Sequence, residues 1–203
     1  MCGRITVGVA VGLLLVASAT EQEGYSRLDA MSAERALREC GAAFQYDTDL
    51  PHRPVTSVRV LGNLDDNDFR RVAAFKYLDH LFVSGQNVTD AGTAALKDLP
   101  KLRDVRLHCP KVGDGAVKHL ATLPALQSLS LIGSGITDAG LKGLAGLPKL
   151  SSLDLGNTAV TDAGLIHLAA SKSLKGVAVG GTKVTDAGVK AFEAARPGCK
   201  VSR

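Results

Sequence analysis

Few side chains in this sequence are equipped for chemistry, and their spacing says more than their number. His80, Asp104 and His108 are, by type, an acid–base or metal-ligand set. Arg59, Phe82, Arg106 and Asp154 have the chemistry of an interface, where arginines and aromatics act as anchors. A column of aspartates (Asp66, Asp90, Asp114, Asp138, Asp162 and Asp186) recurs every 24 residues and has the look of a calcium ladder. Calcium takes about six to eight oxygens, and these single carboxylates have no Asp/Asn cluster or glycine-rich calcium loop around them. They read as structural, at helix starts. Around His80, Asp104 and His108 there is no nucleophile motif, His-Glu-x-x-His, phosphate-binding glycine loop or carboxylate dyad. Gly133-Ser134-Gly135 lies in a turn of the 24-residue period and is not a nucleophile elbow. The chain is expected to bind and not to catalyse, with no metal and no cofactor. A hydrolase built on His80, Asp104 and His108 is the weakest alternative.

The elements that position these residues follow one period. Val88-Thr89-Asp90-Ala91-Gly92 returns as Ile136-Thr137-Asp138-Ala139-Gly140, Val160-Thr161-Asp162-Ala163-Gly164 and Val184-Thr185-Asp186-Ala187-Gly188. Val112-Gly113-Asp114-Gly115-Ala116 is a degenerate copy, and Leu64-Asp65-Asp66-Asn67-Asp68 a divergent first one. Pairs such as Leu81/Val83, Val105/Leu107, Leu129/Leu131, Leu153/Leu155 and Val177/Val179 alternate with polar residues, as half-buried strands do. Val72, Leu96, Leu120, Leu144, Leu168 and Phe192 mark the apolar face of a helix, and Leu78, Leu102, Leu126, Leu150 and Leu174 the turn before each strand. Thr89 and its equivalents, or the aspartate that follows, suit the N-cap, where loss of the cap costs about 0.5–2 kcal/mol. Small residues follow where layers approach closely. One layer cannot bury its own apolar face, so stacking is obligatory. Thin layers filled by Leu and Val also account for the absence of Trp and the 4% aromatic content.

Each unit reads L-x-x-L-x-L, a turn, then V-T-D-A-G-L-x-x-L. Over residues 55–203 this resembles the leucine-rich-repeat family, specifically the 24-residue "TDAGL" type of bacterial proteins. The resemblance implies an α/β fold: a right-handed, ribonuclease-inhibitor-like horseshoe with parallel strands on the concave face and helices on the convex face. It implies protein binding on the concave sheet. Outward strand positions there place Arg59, His80, Phe82, Asp104, Arg106, His108 and Asp154 as the partner-binding patch, with His80 facing Asp104 and Phe82 stacking on Arg106. Asp90, Asp114, Asp138, Asp162 and Asp186 are assigned to a helix-cap ladder. The "TDAGL" phrasing with His108-Cys109-Pro110 is also similar to repeats in F-box ubiquitin-ligase adaptors, which implies a substrate-recognition adaptor or secreted effector as the alternative function, although the segment before the first repeat is short for an F-box.

The ends carry their own signals. Arg4, the apolar run Ile5 to Val16 and Ala17-Ser18-Ala19 form a secretory signal pattern over residues 1–19, which predicts a periplasmic, cell-surface or secreted protein. The run is short for a span of about 20 residues, so membrane contact is expected only if the signal stays uncleaved. Removing it lowers the formal charge from +4 to +3, too small for nucleic acid. Residues 20–54 are expected to form a polar segment and a helix–strand cap, with a helix from Ser32 to Cys40 capped by Ser32 and stopped by Gly41. Residues 55–203 form the solenoid and its C-terminal closure at 196–201, as one monomeric domain. Cys40, Cys109 and Cys199 match no zinc spacing; at most one pair can bridge, and three independent thiols are the simpler reading. Lys118, Lys142 and Lys190, with His119 and His167, read as a solvated helix face, a weak acidic-polymer contact being the alternative.

Overall fold

Alternation of apolar and polar residues commits each repeat to a short strand, and the reversal after it to a helix that returns the chain. The computed structural model describes residues 27–50 and 52–203; the signal pattern at 1–19 lies outside the described residues. Helix α1 (Arg27–Glu39) leads into β1 (Ala42–Tyr46) and β2 (Val55–Leu61). Five repeats follow: α2 (Asp66–Arg70) to β3 (His80–Ser84), α3 (Asp90–Thr93) to β4 (Asp104–His108), α4 (Asp114–Leu120) to β5 (Ser128–Ser130), α5 (Asp138–Leu144) to β6 (Ser152–Asp154), and α6 (Asp162–His167) to β7 (Gly176–Ala178). Short 3-10 turns extend α2, α3 and α6. Helix α7 (Asp186–Ala195) and β8 (Lys200–Ser202) close the stack. The strands form one eight-stranded sheet in sequence order, parallel except for β1, which pairs antiparallel with β2. This is the α/β solenoid the period predicted.

The columns read from the sequence are the core. Leu81, Val105, Leu129, Leu153 and Val177 stack in register along the sheet and are fully buried, as are Leu78, Leu102, Leu126, Leu150 and Leu174. Truncating one such leucine to alanine costs about 2–5 kcal/mol. Among the described residues, the fully buried phenylalanines lie toward the ends of the stack: Phe69 and Phe75 fill the first repeat, and Phe44 of β1 meets Phe75 edge-on at 5.7 Å. Phe192 is buried in the last helix.

Helix α1 already includes Arg27, so Ser32 lies inside it and is not its cap. Ala30, Ala33 and Leu37 bury one face from its first turn onward, and that packing extends the helix past the local cap signal. Gly41 ends it in the left-handed conformation, φ +80°. Tyr46 ties the cap together, donating to Glu34 at 2.6 Å and accepting from Arg38 at 2.7 Å.

The aspartate column does something other than cap its own helix. Thr89, Thr137 and Thr161 are the N-caps, each accepting the N–H two residues on, while Thr185 accepts from Gly188. Each aspartate reaches forward to the next repeat. Asp66 accepts the Thr89 N–H at 2.7 Å and its hydroxyl at 2.6 Å. Asp114 does the same to Thr137, Asp138 to Thr161 and Asp162 to Thr185. The carboxylate aligns the next threonine, which then caps the helix. In the degenerate repeat the threonine is missing, and Asp90 accepts from Gly113 N at 2.6 Å and Gly115 N at 3.1 Å. There the carboxylate caps the next helix directly. Asp186 pairs with Arg203.

Glycine occurs in the motif for the same reason. A Cβ on Gly140, Gly164 or Gly188 would collide with the preceding repeat's aspartate. In the degenerate repeat Gly and Ala exchange places, and Asp90 lies against Gly115 instead. Burial pushes the Asp66 carboxyl up, but the Thr89 hydroxyl and N–H outweigh it and hold it below the usual carboxylate range. Asp162 is lowered by the Thr185 N–H and hydroxyl.

Candidate functional site

Outward strand positions are free of packing duty, so their side chains report what the sheet face can do. Register aligns Ser57, His80 and Asp104 in one column, Arg59, Phe82 and Arg106 in the next, and Leu61, Ser84 and His108 in the third. The first two columns line a shallow depression of about 310 Å³ bounded by Ser57, Arg59, His80, Phe82, Asp104 and Arg106.

Phe82 is the centre of the cluster. The Arg59 guanidinium lies over its ring at 5.3 Å, and His108 meets its other side edge-on at 5.1 Å and 88°. The predicted Phe82–Arg106 stack is replaced: Arg106 folds back on Asp104 of its own strand, with Nε–Oδ1 3.1 Å and Nη2–Oδ2 3.0 Å. Residues two apart share a strand face, and a bidentate charge-assisted pair outcompetes one cation–π contact. The same pairing raises the Arg106 pKa. His80 reaches Asp104 at 3.9 Å and Asp79 at 3.7 Å, ion pairs only when the ring is protonated.

His108 is half-buried, and its Nε2 sits 3.1 Å from the Ser130 hydroxyl. Burial lowers its pKa, with Arg106 adding to the effect and Asp154 opposing it; neutral imidazole is the favoured form. Asp154 extends the cluster to β6 and accepts from Gly156 N at 3.0 Å. All seven sequence-named residues therefore lie on one sheet face, from Arg59 to Asp154. Three neighbours were left out of the patch read from the sequence. Leu61 is 57% exposed at the end of β2; its apolar type on the alternation's outward phase was the available signal. Ser130 lies beneath His108, and Asp79, just before β3, pairs with His80 and Arg103.

The acid–base trio is divided. His80 approaches Asp104, whereas His108 turns to Phe82 and Ser130. Among the described residues no three His, Cys, Asp or Glu side chains converge as a metal site would require. The Ser130 hydroxyl and His108 have the reach of a nucleophile and base. Ser130 is buried, however, and the following Leu131 N–H is taken by Asp154 O at 2.8 Å. The cysteines Cys40, Cys109 and Cys199 are all free thiols. Burial pushes the Cys109 thiol up to about 11.

Comparison with known proteins adds to this geometry. A family model described as "Leucine Rich repeat" matches residues 146–169. The search of curated proteins gives no match. Among solved structures, an internalin from Listeria monocytogenes is similar at 19% identity and a TM-score of 0.52, covering 66% of this chain and 36% of its own. The yeast Rad7–Elc1 complex contains a chain similar at 21% identity and a TM-score of 0.51, covering 68% of this chain and 44% of that one. This chain thus spans less than half the length of either neighbour. With eight strands in sequence order and buried columns at a 24-residue period, the chain has the fold of an α/β leucine-rich-repeat solenoid.

Proposed function

We propose that this chain is a non-catalytic protein-interaction module that binds its partner on the outer sheet face between β2 and β6. One observation carries the reading: Arg59, Phe82 and His108 form a contiguous ring cluster beside a depression, flanked by the Arg106–Asp104 pair. An aromatic held between a guanidinium and an imidazole is pre-organised, and rigid aromatic and arginine anchors dominate binding energy. The export pattern at residues 1–19 supports a periplasmic, cell-surface or secreted site of action, and the Thr-Asp-Ala-Gly-Leu phrasing supports a bacterial origin. A second reading, the recognition subunit of a larger assembly such as a ligase adaptor, draws on the yeast neighbour, whose structure is that of Rad7 with Elc1.

Replacing both Arg59 and Phe82 with alanine tests the first reading. Each anchor carries about 2 kcal/mol or more, so partners retained by the unaltered protein in envelope-extract pull-downs should be lost, with thermal unfolding unchanged. Retention of the same partners by the double variant rules out this face.

A further inference from the structure

The net charge of the solenoid is concentrated at one end. Residues 27–139 contain fourteen Lys and Arg and fourteen Asp and Glu, a formal zero. Residues 140–203 contain nine Lys and Arg against four Asp and Glu, a formal +5. Three of those four acids are already engaged, Asp154 by Gly156 N, Asp162 by Thr185 and Asp186 by Arg203.

The cations cluster on one rim. Lys149 lies in the turn before β6, Lys172 and Lys175 in the turn before β7, and Arg196 and Lys200 at the turn into β8. Parallel stacking sets these turns side by side: Lys175 N donates to Ser151 O and Lys200 N to Lys175 O, each at 2.9 Å. At about 4.8 Å per strand, the three turns lie within roughly 10 Å. The four lysines are exposed, and none of the five makes an ion pair among the described residues.

The corresponding turns nearer the N-terminus differ. Arg103 is offset by Asp79 at 3.6 Å, Lys101 lies over the Tyr77 ring at 3.9 Å, and the turn before β5 has Ala125 and Gln127. Cations near helix C-termini offset the helix dipole, but Lys118, Lys142 and His167 already occupy the last helical turns. The turn lysines are left without that duty.

We infer that this rim is an electrostatic docking edge for an anionic lipid bilayer. Four exposed lysines and the half-buried Arg196 form a short row with no exposed large apolar side chain on it. Protein interfaces are depleted in lysine and use apolar anchors, and single-stranded nucleic acid is held through aromatic stacking. A planar field of lipid phosphates needs neither. It rewards several Lys and Arg engaged at once, each contributing about 1 kcal/mol near an anionic surface, which is about fivefold in partitioning.

The full chain is titrated with phosphatidylcholine vesicles with and without phosphatidylglycerol, by co-sedimentation. Phosphatidylglycerol should add binding, and the added part should vanish at about 1 M salt, where the Debye length is about 3 Å. Residues 5–16, being apolar, would act alike on both vesicle types and so do not imitate this result. Replacing Lys149, Lys172, Lys175 and Lys200 with Gln should weaken binding by several hundredfold, with the circular dichroism spectrum unchanged. The control, Lys97, Lys111, Lys118 and Lys142 to Gln, removes the same charge elsewhere. An equal loss in the control, equal binding to both vesicles, or tighter capture by duplex DNA or heparin than by vesicles each overturns the assignment.

Discussion

Replacing Asp138 with alanine should destabilise the solenoid by more than loss of an ordinary helix cap. Its carboxylate accepts the Thr161 N–H at 2.8 Å and the Thr161 hydroxyl at 2.7 Å, both partly buried. Hydrogen bonds to a charged acceptor contribute about 1.5–3 kcal/mol each. Water can reach the vacated space and recover part of that, so the expected cost is about 2–4 kcal/mol, against the 0.5–2 kcal/mol of a cap alone. In a chain of this length that lowers the melting temperature by about 5–15 °C. Thermal and urea unfolding followed by circular dichroism give the value, with Thr161→Ala and the double variant completing a cycle. Coupling of about 1 kcal/mol or more between the two sites is expected, since they share one network. Asp186→Ala is the internal control. It has the same residue at the same helix position and dipole, but an exposed ion pair to Arg203 replaces the next repeat's threonine. Its loss should stay near 0.5 kcal/mol. Equal losses at Asp138 and Asp186 would refute an inter-repeat role and return the aspartates to capping their own helices.

Three further outcomes follow from the same contacts. Gly164→Ala, which in an ordinary helix gains about 1 kcal/mol, should instead cost about 1–3 kcal/mol, because the new Cβ meets the Asp138 carboxylate; in the Asp138→Ala background the penalty should shrink, leaving only the close approach to the residue-138 backbone. Asp66 and Asp162 have carboxyls lowered in the folded state, so their contribution is complete above the unfolded value of about 3.9 and is lost as pH falls through the folded values. Asp66→Asn should therefore flatten the loss of stability below about pH 4, and an unchanged acid limb in pH-dependent urea titrations would count against it. Cys109, fully buried with its thiol at about 11, should resist iodoacetamide in the folded protein while half-buried Cys40 reacts, as read by mass spectrometry of the two peptides.

How much of this could be read from the residues depends on how local each determinant is. Period-24 recurrence and two-residue alternation are local, and they specify the strands, buried columns and stacking without reference to any distant contact. The side-chain choices are not local. Phe82 has an arginine on either neighbouring strand, Arg59 and Arg106; Arg59 takes the ring, while Arg106 pairs with Asp104. The start of α1 was hidden because burial of Ala30 and Ala33 extends the helix beyond the Ser32 signal.

The aspartate column shows the division most clearly. The sequence alone determined that a carboxylate returns every 24 residues beside threonine and ahead of glycine, because one helix start is repeated. Only the tertiary structure decided which helix each carboxylate serves. Asp138 and Thr161 are 23 residues apart and become neighbours when the layers stack. A hydrogen bond between layers leaves no trace in the pattern of a single one.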